Sequence, residues 1–197
     1  HKGHHSHRLT ISAKSKDELI SGLNSFISEE KSPGVSFKNS LLFQPDKLAF
    51  VYSGMGQQWW AMGRELIETE PVFRRVIEEC DSLFKSHCDE WSLIEELSHE
   101  KEKSRINETW LAQPCIFSLQ AGLTALWRSR GIVPDSIIGH SVGEIAATYA
   151  SGALSLEDAV TVCFNRSQLQ HRTAGRGKML AVGISEDEAK QRLKNYN

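Results

Sequence analysis

The sequence predicts an α/β fold built on parallel strands, and three observations carry that expectation. Leu48-Ala49-Phe50-Val51-Tyr52 is an unbroken apolar run, suited to a buried parallel strand. A second short strand, Asp135 to Ile138, enters a glycine-flanked turn and then a helix. Around both, apolar residues recur at helical spacing, and strands alternating with helices imply parallel pairing.

Each element has a local reason. Leu9 to Ala13 reads as a short strand. Ser15, followed three residues later by Glu18, is a capping pattern, and Leu19, Ile20, Leu23, Phe26 and Ile27 then give one apolar helical face. Lys31 to Gly34 is turn-like, and residues 1–47 read as a flanking element. After the strand at Leu48, Ser53-Gly54-Met55-Gly56-Gln57-Gln58 forms a loop, with a helical stretch expected from Trp59. Pro71 restarts a helix through Phe84. Residues 86–107 are polar and loop-like, with a short helix near Ile94. Pro114 falls near the start of another helix whose buried face is Ile116, Leu119, Leu123 and Leu126, with Gly131 at its C-terminal cap. Glu144 to Ala150 forms the helix after the glycine-flanked turn. Ser155 caps a helix running to about Ala174, Lys178 to Ile184 reads as a strand, and Ser185 with Glu188 opens a last helix.

Composition narrows the function. The 197 residues are 40% hydrophobic and 24% charged, with a formal net charge of -2, an ordinary globular balance. No basic stripe points to nucleic acid, and no apolar stretch is long enough to span a membrane. Cys80, Cys88, Cys115 and Cys163 lack the paired spacing of a zinc site and suggest a reducing, cytoplasmic setting. His1, His4, His5 and His7 read as a solvated tag or linker end rather than a metal site.

The chemistry concentrates in Gly139-His140-Ser141-Val142-Gly143, a Gly-x-Ser-x-Gly pattern between a predicted strand and a predicted helix. A serine on so sharp a turn presents its hydroxyl at the end of the sheet, and side chains in place of the glycines would collide. The helix starting at Val142 aims free backbone N–H groups at a reacting oxygen. His140 has the composition of a base, yet its place beside the nucleophile makes it a supporting residue. In Gly54-Met55-Gly56-Gln57-Gln58, glycines let the backbone approach a ligand closely. A phosphate-binding loop is the rival, but its lysine-bearing signature is absent. Arg166, beside Cys163, Phe164 and Leu169, reads by itself as an arginine snorkelling from an amphipathic helix.

Taken together, Tyr52-Ser53-Gly54-Met55-Gly56-Gln57-Gln58-Trp59, Gln113-Pro114, Gly139-His140-Ser141-Val142-Gly143-Glu144 and Arg166 resemble, in order and spacing, the acyltransferase domains of polyketide synthases. The malonyl/acetyltransferase of animal fatty acid synthase is similar. The resemblance covers residues 48–197, with Met55 a departure where many members carry glutamine. It implies an α/β, parallel-sheet, hydrolase-like acyltransferase core over 48–176, incomplete here, and the start of a small ferredoxin-like α+β subdomain over 177–197. Residues 8–47 resemble the linker to a neighbouring ketosynthase domain. Ser141 would be the acyl-accepting nucleophile, and the backbone N–H groups of Gln58 and Val142 its oxyanion hole. Arg166 would grip the free carboxylate of a malonyl-type substrate, with Gln113 and His140 lining the pocket. Glu108-Thr109-Trp110-Leu111-Ala112-Gln113-Pro114, and Val142, resemble malonyl-selective members. Malonyl-CoA and an acyl carrier protein are the implied partners. Coenzyme A and phosphopantetheine enter as substrates rather than bound cofactors. The family's catalytic histidine falls beyond Asn197, so the 197 residues alone are expected to be inactive. A serine esterase of α/β-hydrolase type and a non-catalytic truncated fragment are the alternatives.

Overall fold

The computed structural model describes residues 5–39, 47–177 and 182–194. The chain divides into two compact units, His1–Asp46 and Lys47–Asn197.

In the first unit, β1 (His7–Ile11) pairs antiparallel with β2 (Val35–Asn39), Ile11 opposite Val35 and His7 opposite Asn39. Between them runs α1 (Lys16–Ile27), capped by Ser15, whose Oγ accepts from Glu18 N at 3.1 Å. Strand β2 was not expected, although Val35 and Phe37 alternate with polar neighbours. The apolar face of α1 is present but largely uncovered. Leu19, Ile20, Leu23 and Ile27 are exposed, and Gly22 is the helix's buried residue. A two-stranded sheet offers too little surface to cover a whole helix face. Contact is made at Gly22, where an added Cβ would sit 2.7 Å from Ile11 Cγ2.

The second unit holds the site. β3 (Ala49–Tyr52) pairs parallel with β4 (Ser136–Gly139), Tyr52 opposite Gly139. Asp135 fixes the entry, its carboxylate accepting from Leu48 N at 2.7 Å. The crossover carries α2 (Arg64–Thr69), α3 (Pro71–His87), α4 (Leu93–Ser98) and α5 (Thr109–Ser129). After β4 come α6 (Gly143–Ser151), α7 (Leu156–His171) and α8 (Glu186–Leu193).

α5 is the central helix, packed against α3, α6 and α7. Its burial is wider than one face, since every residue from Leu111 to Ser118 is buried. Phe73, Ile77 and Phe84 of α3 are fully enclosed. Burying each such side chain is worth about 1.5–3 kcal/mol. That outweighs intrinsic helix preferences of a few tenths of a kcal/mol per residue. Asp81, also buried, accepts from Ser92 Oγ at 2.8 Å and Lys85 Nζ at 2.7 Å, tying α3 to the start of α4.

Two expectations are corrected, and a third lies mainly outside the described residues. The helix expected from Trp59 begins at Arg64, because Ala61 and Gly63 adopt positive φ (66° and 78°) and break the ladder. β3 is parallel but not buried on both faces: Val51 is 72% exposed and its partner Ile138 61% exposed. Among the described residues the sheet has two strands, and helices cover the face carrying Tyr52. That third is the strand expected over 178–184, of which only Val182 to Ile184 are described, and they are not in strand. No described helix is long and apolar enough to cross a membrane.

Candidate active site

The turn from β4 into α6 is as tight as its glycines require. A Cβ on Gly143 would lie 2.2 Å from the Tyr52 carbonyl oxygen, and one on Gly139 2.5 Å from the Gly143 oxygen. Neither neighbour can yield, because both are backbone. Ser141, between them, has φ 56°, a left-handed conformation that L-residues other than glycine seldom adopt. The turn is closed by Gly143 N donating to His140 O at 2.9 Å and Glu144 N donating to Ser141 O at 3.0 Å. Those bonds occupy the N–H groups that follow, while the N–H of Val142 has no acceptor among the described residues. Val142 itself is fully buried at the N-cap of α6.

The loop after β3 runs beside this turn. Gly54 is buried, and a Cβ there would stand 3.1 Å from Ser141 Cβ and 2.9 Å from His140 Nδ1. The loop is pinned at both ends. Gln120 Nε2 of α5 donates to Ser53 O at 2.9 Å, and Gln58 Nε2 donates to Asn107 Oδ1 at 3.2 Å. Gln58 also folds back, its Oε1 accepting from Gly56 N at 2.7 Å. Its own backbone N–H has no acceptor among the described residues.

Opposite Ser141 stands α7. Arg166 Nη2 donates to Ser141 Oγ at 3.1 Å, and Nη1 donates to Gln113 Oε1. Gln113 is fully buried, and its Nε2 donates to Gln170 Oε1 at 2.8 Å. Gln170 Oε1 accepts from Arg166 Nη1 as well, at 3.3 Å. The structure therefore gathers Ser141, Arg166 and Gln113 into one hydrogen-bonded cluster and lays the Gly54 loop against the turn. His140 is exposed beside Gly54, with its main chain tied to Tyr52 O at 3.0 Å. Gln170, Gln120 and Asn107 were not singled out from sequence. Gln170 had a signal available, being one helical turn after Arg166.

A hydroxyl on a strained strand–helix turn, next to an unpaired helix-terminal N–H and a guanidinium, is suited to attack a carbonyl attached to an acidic group. The family model described as "Acyl transferase domain" matches residues 49–196. The chain belongs to the acyl transferase domain family.

Its relatives are large synthases. It is 42% identical, over 81% of its length and 6% of the relative's, to squalestatin tetraketide synthase of Phoma sp.. The acyltransferase domain from module 8 of the salinomycin polyketide synthase superposes with a TM-score of 0.79 at 29% identity, covering 95% of this chain and 44% of that one. The malonyl-CoA:ACP transacylase of Synechocystis gives 0.58 at 28% identity, covering 66% of this chain and 42% of that one. The chain thus spans a small fraction of the curated synthases and under half of these solved domains. Both structural likenesses are to acyltransferase domains of α/β fold, in keeping with an incomplete α/β core.

Proposed function

We propose that this chain carries the nucleophile and the carboxylate grip of an acyltransferase that moves a malonyl-type unit from coenzyme A to an acyl carrier protein. The observation that carries the reading is Arg166 Nη2 at 3.1 Å from the Oγ of a serine held at positive φ. A plain ester hydrolase has no use for a fixed cation there. A malonyl thioester has a carboxylate one methylene from its reacting carbonyl, and a planar guanidinium can hold it with two parallel hydrogen bonds.

On this reading Ser141 Oγ attacks the thioester carbonyl. Its proton passes to a base outside residues 1–197, which the resemblance makes a histidine. The developing oxyanion is met by the backbone N–H groups of Val142 and Gln58, each worth about 3–4 kcal/mol in a shielded site. The C–S bond breaks, coenzyme A leaves as the thiol, and a malonyl-serine ester remains. The phosphopantetheine thiol of the carrier protein then attacks that ester, its proton passing through the base to Ser141 Oγ as the C–O bond breaks, and the acyl thioester forms on the carrier. Gln113 positions Arg166, and His140 lines the mouth beside Gly54. Coenzyme A and phosphopantetheine are substrates, and no bound cofactor takes part. The setting is the cytoplasm, beside a ketosynthase domain of the same synthase. The Synechocystis relative, named for malonyl-CoA and ACP, supports the choice of donor and acceptor.

The test is a brief exposure of the full-length protein to malonyl-CoA followed by peptide mass analysis. A malonyl adduct on Ser141 that disappears in Ser141→Ala is the expected result. An undiminished adduct, or one on another residue, rejects the reading.

A further inference from the structure

We propose that Gln170 is a positioning residue that sets which edge of the Arg166 guanidinium faces Ser141, and so tunes the preference for a carboxylated acyl group. The inference rests on the carboxylate role given to Arg166 above.

The contacts are specific. Gln170 Oε1 accepts two donors, Gln113 Nε2 at 2.8 Å and Arg166 Nη1 at 3.3 Å. Two donors converging on one atom fix the orientation of the amide, because the flipped form would set N–H against N–H. Gln113 Oε1 accepts from the same Nη1. Two amide oxygens therefore hold one corner of the guanidinium, and Nη2 is left to reach Ser141 Oγ at 3.1 Å.

Arginine is a long, flexible side chain, and without that hold its planar fork could turn or withdraw along α7. Gln113 alone is a weaker anchor. Its side chain is fully buried, and its own amide needs an acceptor, which Gln170 supplies. Gln170 lies one turn beyond Arg166 on the same helix, so the geometry is built into α7. Its Nε2 donates to no described residue and remains available to a substrate oxygen.

The experiment measures acyl-adduct formation on the full-length protein with malonyl-CoA and acetyl-CoA, as a ratio of initial rates. Gln170→Leu removes the shared acceptor. It should lower the malonyl-to-acetyl ratio by about tenfold, the size expected for one hydrogen bond to a charged group, mainly through a higher KM for malonyl-CoA. Gln170→Glu keeps the acceptor but sets a carboxylate on Arg166 in competition with the substrate's own. The ratio should then fall further, with the fold retained. A ratio taken within one sample does not move when folded protein is simply lost, so a purely structural role would leave it unchanged. If both variants keep the wild-type ratio while Arg166→Ala collapses it, Gln170 is a structural residue and this inference is wrong. If Arg166→Ala itself leaves the ratio intact, the carboxylate role fails, and this inference with it.

Discussion

At the scale of single residues, the chain separates reactive groups from inert ones by burial. Cys80, Cys115 and Cys163 are enclosed. Burial pushes the Cys80 thiol up to about 12, and pushes those of Cys115 and Cys163 well above the ordinary thiol range. Cys88 is only half-buried, at the end of α3. The thiolate is the reacting form, so three of the four cysteines are silent at neutral pH. Treating the native protein with iodoacetamide near pH 7.5 should alkylate Cys88 and leave the other three unmodified until denaturant is added. Peptide mass mapping reads the outcome, and labelling of Cys115 at the rate of Cys88 would contradict the burial.

Ser141 and Val142 stood out in the sequence by type and spacing, whereas Arg166 stood out only through the family resemblance, since by itself it reads as a snorkelling arginine. Gln120 did not, because a glutamine within a helix has no pattern of its own, and the one signal for Gln170, its place one turn after Arg166, has meaning only once Arg166 is given a role. What makes them part of the site is a partner far along the chain, 57 positions away for Gln113 and 67 for Ser53.

At the scale of elements, close approach decides more than propensity. Gly122, inside α5, faces the ring of Phe73, and a Cβ there would lie 2.7 Å from both Phe73 Cδ2 and Cε2. Phe73 is fully buried and has no room to swing away. Alanine at an ordinary helical position gains about 1 kcal/mol over glycine. Overpacking a filled core costs about 1–3 kcal/mol. Gly122→Ala should therefore lower the melting temperature despite the better helix former, and an increase would show that α3 and α5 can slide apart cheaply. Capping was the most readable feature at this scale. Ser15, Ser155 and Ser185 each accept from the N–H three residues on. The false start at Trp59 had the opposite cause. Helical composition continues from there, but Ala61 takes a positive φ that no local pattern announces.

At the scale of the whole molecule, the α/β class followed from two short strands and the helices between them. The parallel pairing of β3 and β4 bears it out. The coverage of that sheet did not follow, since an apolar run tells that a strand prefers burial but not how many layers surround it. The enclosed hydrophobic core, from Tyr52 to Cys163, is built by α3, α4, α5, α6 and α7 with one face of the sheet. One residue of this structure works against that core. Ser141 is held in a left-handed conformation that costs a non-glycine residue roughly 1–2 kcal/mol. Ser141→Ala keeps that cost and Ser141→Gly relieves it, so the glycine variant should melt above the alanine one. A net gain near 1 kcal/mol corresponds to about 2–4 °C in a chain of this size. On the acyl-transfer reading proposed above, selection for thermal endurance alone would then drift toward a protein without the serine assigned as its nucleophile. A serine kept at this position would then mark reactivity chosen over robustness.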